Sequence, residues 1–300
     1  MTEADFLAAL RTLPLHPGAV GLADDAARLG DLVLTTDTLV EGVHFLSSDP
    51  AEDVAWKLVA VNLSDLAAKG ATPVGVLLNY PLSDDAWDAG FLRGLEEALA
   101  AHGCALLGGD TVSLPPGAAR VLSATAIGAA GPANPARGRA QPGDLLYVTG
   151  TIGDAGAGLA VAQGAAGPEA LLAAYRRPVP LIAQGRVLAP LVHAMMDVSD
   201  GVLIDAQRMA AASGLAVTID LARIPLSASY CVYRGDDRAA RLAAATAGDD
   251  YQLLFAAAPD APLPVAAQVI GQFVGGTGLS LTEAGVPIAV PDRLGFEHQR

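Results

Sequence analysis

Aspartate is the residue whose placement in this sequence could do chemistry. It recurs among apolar and glycine-rich neighbours, as Asp24-Asp25 in LADDAA, Asp37 in LVLTTDTLVEGVHF, Asp65 in VNLSDLAAKG, Asp110 in LLGGDT, Asp197 and Asp200 in MMDVSDG, and Asp249-Asp250 in AGDDYQLLF. A carboxylate in apolar surroundings is costly unless it is paired, hydrogen-bonded or bound to a metal. Lys57 and Lys69 are the only lysines, so the pattern points to several divalent cations as the neutralising charge. Thr35-Thr36 beside Asp37 adds hydroxyls to a carboxylate, a donor set suited to hard cations such as Mg²⁺. Gly108-Gly109 before Asp110 would let the backbone approach a phosphate closely, although a lone GGD is ordinarily a turn. Asp197-Val198-Ser199-Asp200-Gly201 opens a predicted helix whose N-terminal amides favour anions, and capping by Ser199 or Asp200 would account for one of its polar residues.

Overall charge agrees with a cation-dependent site. The formal net charge is −14, which disfavours nucleic acid as a partner and would repel a nucleotide triphosphate unless metal ions supplied local attraction. Scattered acids such as Glu3, Glu96 and Glu97 read as solubilising surface charge. No GxxxxGK[ST], HExxH, CxxC or GxSxG occurs, which sets aside the P-loop, common zinc and serine-hydrolase chemistries. In GTIGDAGAGLA the glycine spacing differs from a dinucleotide fingerprint, and helix packing explains it better. Every apolar run is cut by Gly, Pro or charge before it could cross a bilayer. The first residues lack the order of a signal peptide, and Cys104 and Cys231 are too few for a disulfide framework, so a cytoplasmic location is expected.

The elements that must position these residues can be placed from periodicity and turn signals. The pattern predicts helices near 3–12, 53–69 and 84–101, and strands at 32–36, 74–80, 106–107 and 120–127. GPANPARGRAQPG, residues 131–143, reads as a connection between domains spanning 1–135 and 136–300. Beyond it the pattern predicts strands at 144–149, before Asp197, and at 215–219, 252–256 and 269–273. Helices are predicted at 153–164, 180–191, 202–212 and 238–245. The 53–69 helix is apolar nearly all round and is therefore expected to be buried. Asp65 would then lie on or beside an apolar face, with an i,i+4 pair to Lys69 as the simplest alternative to metal binding.

TTDTLVEGVHF, WKLVAVNLSDLAAKGATP, LLGGDT, QPGDLLYVTGTIGDAGAGL, MDVSDGVLID and GDDYQLLF, taken in order, resemble the signature blocks of the thiamine-monophosphate kinase family, within the aminoimidazole ribonucleotide synthetase-like superfamily. The resemblance runs from about residue 21 to the C-terminus. It implies an α+β fold of two domains, an N-terminal mixed sheet that pairs across a homodimer and a C-terminal α/β sandwich. It further implies ATP-dependent phosphorylation of thiamine monophosphate to thiamine diphosphate, with several Mg²⁺ ions and no general base. Carried over residue by residue, Asp25, Thr35, Thr36, Asp37, Asp65, Asp110, Asp197 and Asp200 match metal positions. Gly109, Asp110, Arg137 and Ser199 match ATP-contacting positions, and His44, Asp249 and Phe296 match substrate positions. Arg137 suits a phosphate clamp, whereas Arg139 reads as a solvated linker residue. Asp24 and Asp250 receive no role. The chain departs from the family pattern at Ala23, at Ala247-Gly248 and at Gln252. Related branches that use a reactive cysteine fit less well, since no Cys precedes Cys104 and the sequence ends GFEHQR. A non-catalytic nucleotide-binding regulator is the reading from another class.

Overall fold

The computed structural model describes residues 2–115 and 117–297. Its N-terminal elements are α1 (Glu3–Leu10), β1 (Ala27–Leu29), β2 (Leu32–Val40), α2 (Ala51–Ala68), β3 (Thr72–Leu82), α3 (Asp85–His102), β4 (Ala105–Ser113) and β5 (Val121–Ala129). There follow β6 (Leu145–Thr149), α4 (Asp154–Ala162), α5 (Glu169–Arg176), α6 (Ile182–Leu188), β7 (Ala194–Asp197), α7 (Val202–Ala212), β8 (Ala216–Asp220), α8 (Ala228–Arg234), α9 (Arg238–Ala245), β9 (Leu253–Ala257), β10 (Ala267–Val274), β11 (Gly278–Glu283) and β12 (Val286–Ile288). Among the described residues no helix is long and apolar enough to cross a membrane.

The strands form a five-stranded sheet in the order β1-β2-β5-β3-β4 and a seven-stranded sheet in the order β12-β11-β8-β10-β6-β9-β7. Both are mixed: β3 and β4 run parallel in the first, and β8 and β11 in the second, while their other pairings are antiparallel. This is the α+β class expected from sequence. In the first sheet Val33, Thr35 and Leu39 of β2 and Leu122, Ala124 and Ala126 of β5 alternate into the core, while Thr36, Thr38, Ser123 and Thr125 stay more open. That period-2 alternation leaves one face to be covered.

Helix α2 covers it. Glu52 and Asp53 in its first turn complement the helix dipole, and its interior lacks Gly and Pro. Fourteen of its eighteen residues are buried, because it serves both halves of the molecule. Val54, Leu58, Val61, Leu63 and Leu66 pack with Phe91, Leu122 and Ala126. Ala67 and Ala68 instead join Tyr147, Leu188, Met195 and Phe255 of the second half.

Several elements depart from the expected bounds. The short strand at 106–107 is part of β4, nine residues long and exposed throughout as the edge of its sheet. The 180–191 helix contracts to α6, between Pro180 and Pro190. The segment 131–143 contains a 3-10 turn at Arg137–Arg139 that seats Arg137 inside the molecule. Two short helices, α5 and α8, and the hairpin of β11 and β12 had no expected counterpart. The hairpin turns through Ala284 and Gly285, both at positive φ (50° and 81°), a two-residue geometry matched to sheet twist. The glycines of GTIGDAGAGLA do serve packing: a Cβ on Gly158 would stand 1.9 Å from the Leu171 carbonyl oxygen of α5.

The α2–α6 contact depends equally on glycine, since a Cβ on Gly185 would lie 1.9 Å from the Ala67 carbonyl oxygen. Overpacking of this kind costs about 1–3 kcal/mol. Gly185→Ala is expected to lower the thermal midpoint followed by circular dichroism, and an unchanged midpoint would show that α2 and α6 do not meet this closely.

Candidate functional site

The aspartates collect around the C-terminal half of α2, held first by Lys69 and Arg137. Lys69 is 1% exposed. Its ammonium donates to Asp24 Oδ1 and to the Met195 carbonyl at 3.0 Å, and lies 2.7 Å from Asp25 Oδ2. Arg137 completes the cluster, its guanidinium donating to Asp25 Oδ1 and its backbone N–H to Asp24 Oδ1 at 3.1 Å. Lys69 thus pairs with Asp24 and Asp25, and the Asp65–Lys69 pair weighed as the alternative to metal binding does not form. Although burial pushes the Asp25 carboxyl up, Lys69 and Arg137 together hold it below the usual carboxylate range. Asp24 thus gains a structural role, tying Lys69 to the 131–143 connection. Arg139 is exposed, as expected.

Next to this compensated pair lie acids with no such relief. Thr35 donates its hydroxyl to Asp65, and the Asp37 amide donates to Asn62 Oδ1 at 3.1 Å. The Asn62 side-chain amide donates to the Leu58 carbonyl at 2.9 Å, so Asn62 of α2 fixes the Asp37 main chain while Thr35 of β2 holds Asp65. Burial, then the charges of Asp25 and Asp200, raises Asp37 to about 6. Burial, then Asp25, raises Asp197 to about 7. Asp65 is pushed well above its ordinary value by burial and by Asp197, Asp37 and Asp25. Like charges crowded this closely favour a bound cation.

Asp197 ends β7, and Ser199 and Asp200 occupy the turn into α7. The cap differs from the expected one: Gly201 precedes the helix without a side-chain bond, and Asp205 inside α7 accepts from the Asp200 and Gly201 amides at 3.1 and 3.2 Å. Arg208, not foreseen from sequence, donates to Asp200 and, at 3.1 Å, to Asp205. Its only sequence signal was its place on α7, eight residues beyond Asp200.

Two clefts converge on this turn. One, about 610 Å³, is lined by Asp25, Thr35, Thr36, Arg137, Ser199, Asp200 and Arg208, with Leu7, Leu22 and Leu34 among its apolar members. The other, about 540 Å³, is lined by Asp37, His44, Ser199, Asp200, Asp249, Tyr251, Arg293 and Phe296. Ser199 and Asp200 belong to both. In the second cleft His44 Nδ1 accepts from the Val40 amide at 3.0 Å, and the Phe296 amide donates to the Asp200 carbonyl at 2.8 Å. Asp250 points elsewhere, accepting from the Gly153 amide at 2.8 Å and so anchoring the start of α4.

Gly109 and Asp110 stand apart. Asp110 is exposed on β4, paired in register with Asn79, and lines neither cleft. Gly109 (φ +153°) is required by close strand packing, since a Cβ there would lie 1.7 Å from the Leu78 carbonyl oxygen. One chain therefore brings together every residue expected at the site except these.

The donor set fits a hard cation, being carboxylate and hydroxyl oxygens. Asp25 Oδ2 is buried and 2.7 Å from the Lys69 ammonium, so a metal there would share this oxygen with that charge. Among the described residues no three acidic, imidazole or thiol groups converge tightly enough to enclose an ion by themselves. Thr35, Arg137 and Arg208 engage the acids instead.

Comparison with known proteins places this geometry. The N-terminal domain of AIR synthase related proteins matches residues 23–130, and the C-terminal domain matches residues 141–283. A thiamine-monophosphate kinase of Caulobacter vibrioides is 40% identical over 324 residues, covering 99% of this chain and 91% of the relative. One from Escherichia coli strain K12 is 39% identical over 253 residues, 79% of this chain and 75% of the relative. The solved structure of AaThiL complexed with AMPPCP and TMP superposes with a TM-score of 0.83 at 30% identity, covering 96% of this chain and 99% of that one.

The Lys69 cluster sets a stability test. Lys69→Met would leave Asp24 and Asp25 buried with only Arg137 as a counter-charge, and stranding a buried charge costs about 3–5 kcal/mol. Urea unfolding is expected to show a loss of that size, with partial recovery in the Lys69→Met/Asp24→Asn double variant. A loss below about 1 kcal/mol would mean that the cluster is solvated.

Proposed function

The chain belongs to the thiamine-monophosphate kinase family of AIR synthase related proteins, and from that premise we infer that it transfers the γ-phosphoryl group of ATP to thiamine monophosphate, giving thiamine diphosphate and ADP. The observation that carries this reading is the pair of clefts sharing Ser199 and Asp200. A donor nucleotide in one and an acceptor phosphate in the other would meet at that turn. An oxygen of the substrate phosphate attacks the γ-phosphorus in line, and the bond to the β-phosphate oxygen breaks. The attacking atom is already an ionised phosphate oxygen, so the site needs no general base.

In the first cleft Arg137 and Arg208 supply fixed guanidinium charges to the nucleotide phosphates, with Ser199 beside them. In the second, His44, Asp249 and Phe296 receive the thiamine moiety, where an aromatic ring can stack on a heterocycle. Asp25, Thr35, Thr36, Asp37, Asp65, Asp197 and Asp200 would hold Mg²⁺ ions. Such ions screen the repulsion between two polyanions and stabilise charge on the transferring group. A cytoplasmic location belongs to the same proposal, as does a division of the chain at the 131–143 connection into a nucleotide-binding half and a C-terminal half.

We also propose that two copies pair through β4. All nine residues of this edge strand are exposed, with Leu106, Leu107 and Val112 each about half open to solvent. An uncovered apolar edge of this length invites strand pairing. The occupant proposed is a second copy, whose arrival would give Gly109 and Asp110 a place near the nucleotide. Light scattering should report a dimer that Leu107→Asp converts to monomer, and a monomeric wild-type chain would overturn the pairing.

The activity itself is tested by incubation with Mg-ATP and thiamine monophosphate and chromatography for thiamine diphosphate and ADP. ATP consumption without thiamine diphosphate would reject the substrate. Asp37→Asn and Asp65→Asn are each expected to lower turnover by about 10²-fold or more while the circular dichroism spectrum persists. Full activity in either variant would remove that residue from the proposed ion-binding set.

A further inference from the structure

Lys57 is the other lysine of α2, and its surroundings are more specific than burial alone requires. Its side chain is 3% exposed, and its ammonium donates to Asp249 Oδ2 at 2.7 Å and to the His44 carbonyl at 3.1 Å. It also lies over the Tyr175 ring, 4.3 Å from the centroid. Tyr175 is fixed in turn by its hydroxyl, which donates to buried Asp49 at 2.9 Å. One side chain of the N-terminal half therefore grips both His44 and Asp249, which line the second cleft from different halves of the chain.

Asp249 needs such a grip. It is a non-glycine residue at φ +70°, and Tyr251 close by is at φ +50°, conformations that persist only where the surroundings enforce them. The Asp249 and Tyr251 amides donate to the Ser199 and Val198 carbonyls at 2.8 Å each, which fixes the backbone. The side chain is oriented from both ends, Lys57 donating to Oδ2 and the Tyr251 hydroxyl to Oδ1 at 3.1 Å. A carboxylate offers about four acceptor directions, so each oxygen keeps one for a donor arriving in the cleft.

We propose that Lys57 is a positioning residue for the acceptor substrate, holding the Asp249 carboxylate and the His44 main chain in the geometry that receives an N–H donor of the acceptor's aminopyrimidine ring. Its charge also offsets that of Asp249 in a cleft that must admit a phosphate. The proposal rests on the kinase reading above. It differs from a purely structural role in acting on one substrate only, because Lys57 approaches the second cleft and lines neither the nucleotide cleft nor the shared turn.

The test measures the KM of each substrate separately in full-length Lys57→Met, Asp249→Asn and the double variant. Each single variant is expected to raise the KM for thiamine monophosphate about tenfold, equivalent to about 1.4 kcal/mol, while that for ATP stays within about twofold. The double variant should be no worse than the poorer single one, since Lys57 acts through Asp249. An unchanged KM for thiamine monophosphate in Lys57→Met would overturn the proposal. So would a parallel rise of both KM values with a lowered melting temperature, or effects that multiply in the double variant. Lys57→Gln, which keeps a donor of similar reach, is the second variant should methionine prevent folding, and the same split is expected of it. The wild-type assay separates the two readings: no thiamine diphosphate there rejects the kinase function, whereas wild-type turnover with an unaltered variant rejects only the role of Lys57.

Discussion

Burying two ammonium groups on one helix is the constraint from which the rest of the arrangement follows. Lys57 and Lys69 lie within the same face-to-face packing that makes α2 the common support of both sheets. A buried ammonium must find carboxylates and carbonyls close by. Lys69 finds them in Asp24, Asp25 and Met195, and Lys57 in Asp249 and His44. Each of those groups is carried by a segment remote in sequence, so satisfying two charges draws the ends of β7 and β9, the entry to β1 and the loop after β2 toward α2. The cleft residues ride on those same segments.

A division of labour among the acids results. Asp24 and Asp25 are neutralised by protein cations, whereas Asp250, bonded by backbone amides, and Asp205, bonded by amides and Arg208, are still raised by burial. Among the described residues Asp37, Asp65 and Asp197 have no protein cation beside them, and burial first, then neighbouring carboxylates, raises their proton affinities. Sites of unrelieved charge are where ligand binding can supply the missing interaction. Asp250 serves structure alone, while Asp24, Asp25 and Asp200 combine a protein counter-charge with a place on the cleft wall.

Much of the fold was legible because its signals are local. The circumferential apolar pattern of α2 announced burial, and the MMDVSDG block marked the end of β7, whereas the TTD block, expected to end its strand, lies in the middle of β2. What stayed hidden depended on partners far along the chain. Nothing in the spacing of Lys69 distinguishes an i,i+4 bond to Asp65 from a bond to Asp24, forty-five residues away. Arg208 looked like an ordinary helix arginine until the Asp200 carboxylate was seen one surface away. The short helices α5 and α8 carry too few turns for periodicity to reveal them, and the Ala284-Gly285 turn lacks the usual Asn-Gly or Asp-Gly marker. Asp110 shows the opposite case, a residue whose sequence block was plain but whose place on an open edge strand was not.

Tyr251 has a consequence for how such a protein can be made and inherited. It follows the Asp249-Asp250 turn of the C-terminal half, yet its ring is buried among Leu58, Leu63 and Leu122 of the N-terminal core, just as Ala67 and Ala68 of α2 complete the core of the other half. Cutting the chain at 131–143 would give two fragments, each with a hole shaped like a piece of its sibling, and would part Lys57 from its counter-ion Asp249. Gene fission at that point could succeed only if both fragments were translated together and folded around each other. A single reading frame guarantees that the two mutually completing cores are made in equal amounts.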